Sequence, residues 1–347
     1  MKRTLLLICT LLCANVLMAQ EQLATLKHNG NISVYYGANA FVEAYNASSN
    51  GDTINLSDGN FNSVTVRKSL VVRGSGANAD TARQSDGTRF NNEFFVYLTE
   101  DTSYFEAEGI AFRSNLRLGD GSRLDNYTPS SQDKGRFKLT KCIVENLKTY
   151  HKELFVSNSI ILNLFYMYNK VENPARFYNC ILKGTPKNSY CDNCIIRDRD
   201  CTQNANPFNF NNCIIIKDNS NPTLTNFGFA NAYNSIICGF TTSFGTNNTF
   251  MNATDVFETW NGIFPNDGAY PTVSLSNFAT WAFNLDTFKL KENVANTILG
   301  GDGTQVGIFG GTAPFDYTPY YNVIKRLNVS QRTNAEGMLG IEVELMD

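Results

Sequence analysis

Phe177-Tyr178-Asn179-Cys180-Ile181-Leu182 is followed by Cys191-Asp192-Asn193-Cys194-Ile195-Ile196 and then by Phe210-Asn211-Asn212-Cys213-Ile214-Ile215. The same pattern recurs on either side as LTKCIV around Cys142, VSNSII around Ser159 and AYNSII around Ser235. In all six segments the aligned position is Cys or Ser. Ile follows it every time, as Ile143, Ile160, Ile181, Ile195, Ile214 and Ile236, and a second aliphatic comes next, as Val144, Ile161, Leu182, Ile196, Ile215 and Ile237. Three positions upstream the residue is apolar: Leu139, Val156, Phe177, Cys191, Phe210 and Ala232. Asn stands directly before the aligned position at 158, 179, 193, 212 and 234. Successive aligned positions are 17, 21, 14, 19 and 22 residues apart, a period that belongs to solenoids.

Short β-branched and aromatic runs broken by Asn, with no helical periodicity, point to strands stacked coil upon coil. Asn tolerates the left-handed conformation that a tight corner between strands requires. Stacked about 4.8 Å apart, the Asn side chains are expected to bond along the ladder, and the column of first isoleucines to stack inside as a dry core. Each large apolar side chain so buried contributes about 1.5–3 kcal/mol.

The pattern resembles the pectate-lyase-like right-handed β-helix. The stretch Gly51 to Gly76 resembles the opening coils of that superfamily, with Val66, Ser69, Leu70 and Val71 expected in the register of the later repeats. Asp302 to Gly311, DGTQVGIFGG, resembles the closing segment of exported β-helix proteins of the Bacteroidetes type. Ala38 to Ala47 reads as a short amphipathic helix with Phe41 and Tyr45 on one side, placed to cap the first coil and protect its strand edge. Near the end, Ile341, Val343 and Leu345 alternate with Glu342 and Glu344, the mark of a half-buried strand, and Asn322 to Val329 is expected to pair with it across the turn near Gly337. The expected fold class is all-β: a single-stranded right-handed parallel β-helix with a short N-terminal capping helix and a C-terminal β-hairpin.

Residues 1–19 read as a secretory signal, with Lys2 and Arg3 before the apolar run Leu5 to Met18 and Ala19 at the cleavage point. The expected organisation is a signal over 1–19, a β-helix domain with its cap over 20–315 and a strand pair over 316–347. The apolar run is too short to span a bilayer and no later one is longer. The expected location is therefore outside the inner membrane of a Gram-negative bacterium: extracellular, on the cell surface, or periplasmic. Loss of Lys2 and Arg3 leaves 27 basic against 32 acidic residues, with no Lys/Arg cluster, which argues against nucleic acid or an anionic membrane as partner. Polar insertions at Gly76 to Thr88 and Gly119 to Gly135 interrupt the repeat.

Candidate chemistry is sparse. Cys191-Asp192-Asn193-Cys194 has the spacing of a redox or metal pair. The repeat accounts for it, however, since Cys191 fills the apolar slot and Cys194 the Cys/Ser slot, and buried free Cys behaves as a small hydrophobe. A zinc site also lacks imidazole ligands, with only His28 and His151 in the chain, and no metal site is assigned. The signatures of polygalacturonase-type β-helices, Asn-Thr-Asp, Asp-Asp, Gly-His-Gly and Arg-Ile-Lys, are absent. The nearest acidic-basic cluster is Arg197-Asp198-Arg199-Asp200, just after a strand. Its aspartates suit a hard cation such as calcium and its arginines an anionic uronate, although alternating charges are ordinary for a solvated turn. Tyr166 and Tyr168 within Phe165-Tyr166-Met167-Tyr168, together with Trp260, Trp281 and the Tyr317, Tyr320, Tyr321 trio, offer flat faces for sugar rings.

Three functions follow as expectations. The first is a non-catalytic module that binds extracellular polysaccharide. The second is a lyase or glycoside hydrolase acting on acidic polysaccharide, and the third a structural part of a surface assembly. A groove lined by carboxylates and Arg favours the enzyme; aromatics favour binding.

Overall fold

At the repeated corner, Asn158, Asn179, Asn193, Asn212 and Asn234 all take the left-handed conformation, with φ between 46° and 53°. Lys141 takes it at φ 53° in the first aligned coil, and Gly109 at φ 64° one coil earlier. Strands flank each corner and build a parallel β-helix. In this computed structural model the described residues are 22–78, 87–119, 134–149, 153–166, 175–184, 189–198, 208–217, 230–238, 249–251, 254–256, 288–316, 324–333 and 339–345. Two compact units divide the chain at 317/318.

In the first unit, strands before each corner form a 12-stranded sheet that runs from an N-terminal hairpin to Thr249–Met251, parallel from Asp52–Leu56 onward. Strands after each corner form a second sheet of 11 strands, parallel throughout. The short spacing between Cys180 and Cys194 keeps the register, with Ile181 paired to Ile195 and Phe177 to Cys191.

Between the sheets lies a core holding Leu139, Val156, Phe177, Cys191, Phe210 and Ala232 from the first sheet and Val144, Ile161, Leu182, Ile196 and Ile215 from the second. The first-isoleucine column faces the other way. Ile143, Ile160, Ile181, Ile195, Ile214 and Ile236 are all buried, but in a separate cluster with Phe288, Leu290, Val294, Val306, Ile308 and Phe315. The expected inward stack is thus corrected. Adjacent strand residues point to opposite faces, so the second aliphatic fills the core while the first Ile column packs outward. It is covered there by residues 288–316, a strap that contains the short helix Glu292–Thr297. The segment DGTQVGIFGG lies in this strap, along the side of the coils.

Three of the corner asparagines bond to the strap. Asn179 Nδ2 donates to the carbonyls of Ile308, Gly310 and Ala313 within 2.5–3.5 Å. Asn212 Oδ1 accepts from Gly301 N–H at 2.8 Å, and Asn158 Oδ1 from Asp316 N–H at 3.3 Å. Gly307 and Gly311 permit this close approach: their φ values are +85° and +80°, and a Cβ there would lie 2.6 Å from Ile214 Cδ1 and Asn193 Nδ2.

Bonding along the ladder falls to the Cys/Ser slot. Cys142 N–H donates to Ser159 Oγ at 3.0 Å, Cys180 N–H to Cys194 Sγ at 3.4 Å, Cys194 N–H to Cys213 Sγ at 3.4 Å and Cys213 N–H to Ser235 Oγ at 3.0 Å. Cys180, Cys194 and Cys213 each donate back to the carbonyl two residues upstream, as do Ser159 and Ser235. In these coils the slot holds a small, buried side chain that both accepts and donates, which suits Ser and Cys. An up-and-down amide pair does occur within the second sheet, where Asn163 Nδ2 donates to Asn146 Oδ1 at 3.1 Å.

In the opening coils, Val72 pairs with Ala107, which pairs with Leu139 of the apolar slot. Ser75, not Ser69, therefore stands three residues beyond that slot, and its N–H donates to Thr88 Oγ1 at 2.7 Å. The expected register of Ser69, Leu70 and Val71 is corrected accordingly.

The N-terminal helix α1, Ala40–Ala47, buries Ala40, Phe41, Ala44 and Tyr45. Phe41 stacks edge-on against Phe90 at 5.1 Å and closes the end of the core. Lys68 Nζ donates to the Tyr45 and Ser48 carbonyls at the end of α1, where a cation complements the helix dipole. Before α1, β1 (Leu23–His28) and β2 (Asn31–Tyr36) form an antiparallel hairpin around Asn29-Gly30, and β1 pairs antiparallel with Asp52–Leu56. The second unit is itself an antiparallel pair, Ile324–Thr333 with Leu339–Leu345, in which Val329 faces Ile341 and Leu327 faces Val343. No helix among the described residues is long and apolar enough to cross a membrane.

Candidate functional site on the outer face of the first sheet

Because strands alternate, residues between the buried positions of the first sheet line its outer face. Register places Glu106, Lys138, Phe155, Arg176 and Tyr190 side by side in successive coils. One step along the strands, Glu108, Thr140, Ser157, Tyr178 and Asp192 form a second row. The first row crosses a groove of about 480 Å³ whose walls include Tyr104, Glu106, Arg136, Lys138, Glu153, Phe155 and Arg176.

Two of the three cations in this groove are paired. Lys138 Nζ lies 3.6 Å from Glu106 Oε2, and Arg136 Nε lies 4.0 Å from Glu153 Oε2. All four side chains are well exposed, so each pair contributes at most about 1 kcal/mol and is readily exchanged for a ligand's carboxylate. Arg176 makes no ion pair among the described residues. Its charge reaches Asp192, whose carboxyl is nevertheless pushed up by burial, against the opposing pull of the Asn211 hydrogen bond and of Arg176. Beside these cations, Phe155 and Tyr190 are exposed by 36% and 45%. The Phe155 ring lies 5.3 Å from that of Tyr178, making a broad aromatic platform.

Tyr178 and Asp192 also border a second groove, of about 570 Å³, between this face and the strap. Its walls are mostly amide and hydroxyl: Ser157, Asn158, Asn193, Asn211 and Thr312, with Asp302 on the strap side. The two grooves adjoin at the Phe155–Tyr178 platform.

Of the residues singled out from sequence, Arg197 and the backbone of Asp198 lie elsewhere. Arg197 and Asp198 belong to the strand Ile195–Asp198 of the second sheet itself, rather than to a turn after it. Arg197 pairs with Lys183 and Ile216 and lies beside Phe288 of the strap. The Asp198 side chain, Arg199 and Asp200 are outside the described residues, as are the Tyr166 side chain, Tyr168, Trp260, Trp281 and the three C-terminal tyrosines. Most of both polar insertions is outside them too.

Cys142, Cys180, Cys191, Cys194 and Cys213 are buried and unpaired. Burial pushes the Cys142 thiol up to about 12 and raises Cys191 and Cys194 as well, which keeps them protonated and poor as nucleophiles or ligands. No cluster of three His, Cys, Asp or Glu suited to a metal occurs among the described residues. His28 Nδ1 lies 2.8 Å from Asp52 Oδ2, but its Nε2 faces Asn29 Nδ2 at 2.9 Å, not a hydroxyl or thiol. This dyad ties the end of β1 to the neighbouring strand.

The candidate groove escaped sequence reading because its residues come from several different coils. The available signal was the alternation within single strands, such as Arg136-Phe137-Lys138-Leu139, whose outward members are charged. Comparisons with protein-family models, curated proteins and solved structures give no match for this chain.

Proposed function

We propose that the chain is an exported module of pectate-lyase-like, Bacteroidetes-type architecture whose first-sheet groove binds an acidic extracellular polysaccharide without cleaving it. The observation that carries this reading is Arg176, a cation free of any ion pair among the described residues, set beside the exposed ring of Phe155. A guanidinium fork matches a uronate carboxylate, and an aromatic face takes the apolar side of a sugar ring. Arg136 and Lys138 supply further positive charge from neighbouring coils. A glycan lying across the strands would meet a new row member about every 4.8 Å.

Glu106 and Glu153 favour a second reading, a lyase or hydrolase, because carboxylates and arginines share the groove. Against it, the polygalacturonase-type signatures are missing from the chain. Affinity electrophoresis in gels containing polygalacturonate tests the proposal. Retardation of the wild type is expected, with at least a several-fold loss in Arg176→Ala and in Phe155→Ala. Equal mobility with and without the polymer contradicts it.

A further inference from the structure

Among the described residues, the outermost strand of the first sheet, β2, has a partner on one side only. In a two-residue hairpin the closing pair, here His28 and Asn31, exchanges both backbone hydrogen bonds, and bonded pairs then alternate. Ser33 and Tyr35 therefore turn their backbone groups toward β1. Gly37 N–H, which donates to the Gln22 carbonyl at 2.8 Å, keeps the same parity. Ile32, Val34 and Tyr36 consequently turn N–H and C=O to the open edge. Their side chains are exposed as well, by 69%, 43% and 58%.

Soluble proteins blunt such an edge with a charge, a proline or a bulge. Asn31-Ile32-Ser33-Val34-Tyr35-Tyr36 carries no charge and no proline, and its pairing with β1 runs without a register shift. No described strand covers this edge, and it can accept one.

We propose that β2 pairs antiparallel with β2 of a second copy of this chain, about a two-fold axis through Val34. Backbone parity restricts the possible registers, since only residues that face outward can oppose one another. The register centred on Val34 sets Val34 against Val34 and each Ile32 against the other copy's Tyr36. Every one of these pairs then exchanges two hydrogen bonds. Directly opposed side chains share a face, so the apolar side chains of both copies gather in one cluster. The contact is isologous and uses up the open edge of each copy, which closes the assembly as a dimer rather than a filament. A single strand edge per copy is a small contact, and interfaces below about 1,200 Å² are typically weak and transient, so a reversible association is expected.

Sedimentation of the purified protein from low to high micromolar concentration, with amide exchange followed on the same samples, tests the proposal. The expected mass doubles as concentration rises, and Val34→Lys, which opposes two ammonium groups on the axis, stays monomeric with an unchanged melting midpoint. In the wild type, exchange at Ile32, Val34 and Tyr36 slows several-fold with concentration, while Ser33 and Tyr35 do not change. A monomer at every concentration with those three amides exchanging freely overturns the proposal. A dimer that Val34→Lys leaves intact overturns it too, by placing the interface elsewhere.

Discussion

Lys141 Nζ donates to Asp316 Oδ2 at 2.8 Å, joining the first aligned corner to the far end of the strap. Lys141 is 1% exposed and Asp316 half exposed. The corner position that elsewhere holds Asn against strap backbone here holds a cation against a strap carboxylate. Asp316→Ala deprives a buried ammonium of its carboxylate and is expected to lower stability by about 1–3 kcal/mol, the exposed side of the pair moderating the loss. Lys141→Asn restores the common corner residue, which tolerates positive φ better than Lys, and should make the Asp316→Ala loss largely disappear. Urea denaturation of the two single variants and the double variant measures the coupling; additive losses would contradict it.

Ile195 lies between Ile181 and Ile214 beneath the strap and is fully buried. Ile195→Ala is expected to cost about 2–5 kcal/mol. The contact it removes is with the strap, so limited proteolysis within 288–316 should accelerate in the variant. A denaturation midpoint equal to that of the wild type would show that the strap does not cover this column.

The buried thiols set an alkaline limit on stability. An unfolded thiol ionises near 8.5, whereas burial holds Cys142 up to about 12 in the folded protein. Between these values the unfolded state binds fewer protons, so the stability contributed below about pH 8.5 is lost at roughly 1.4 kcal/mol per pH unit for each such thiol. Unfolding free energy should therefore fall steadily above about pH 9, and less steeply in Cys142→Ser. Native thiol titration below that range should label Cys191 and Cys194 only on denaturation; rapid native labelling would contradict their burial.

The repeat was legible because the corner imposes similar local demands in the six aligned coils: a left-handed residue, met by Asn in five of them, and a small donor-acceptor, met by Ser or Cys. Which isoleucine column faces inward was not legible, because both columns are aliphatic and the strap that covers the outer one begins more than fifty residues after Ile236. The N-terminal hairpin had a local signal, Asn29-Gly30 between LATLKH and NISVYY, the dipeptide that favours a type I′ turn. The groove had none, since Glu106, Lys138, Phe155 and Arg176 meet only through the stacking of four coils.

Calorimetric titration of the purified protein with polygalacturonate, calcium present, tests the central claim most directly, because binding and turnover leave different traces. The account predicts a saturable isotherm whose baseline recovers after every injection, weakened several-fold in Arg176→Ala and by added salt, which screens exposed charges. No heat of binding, or a sustained displacement of the baseline from continuing cleavage, would contradict it.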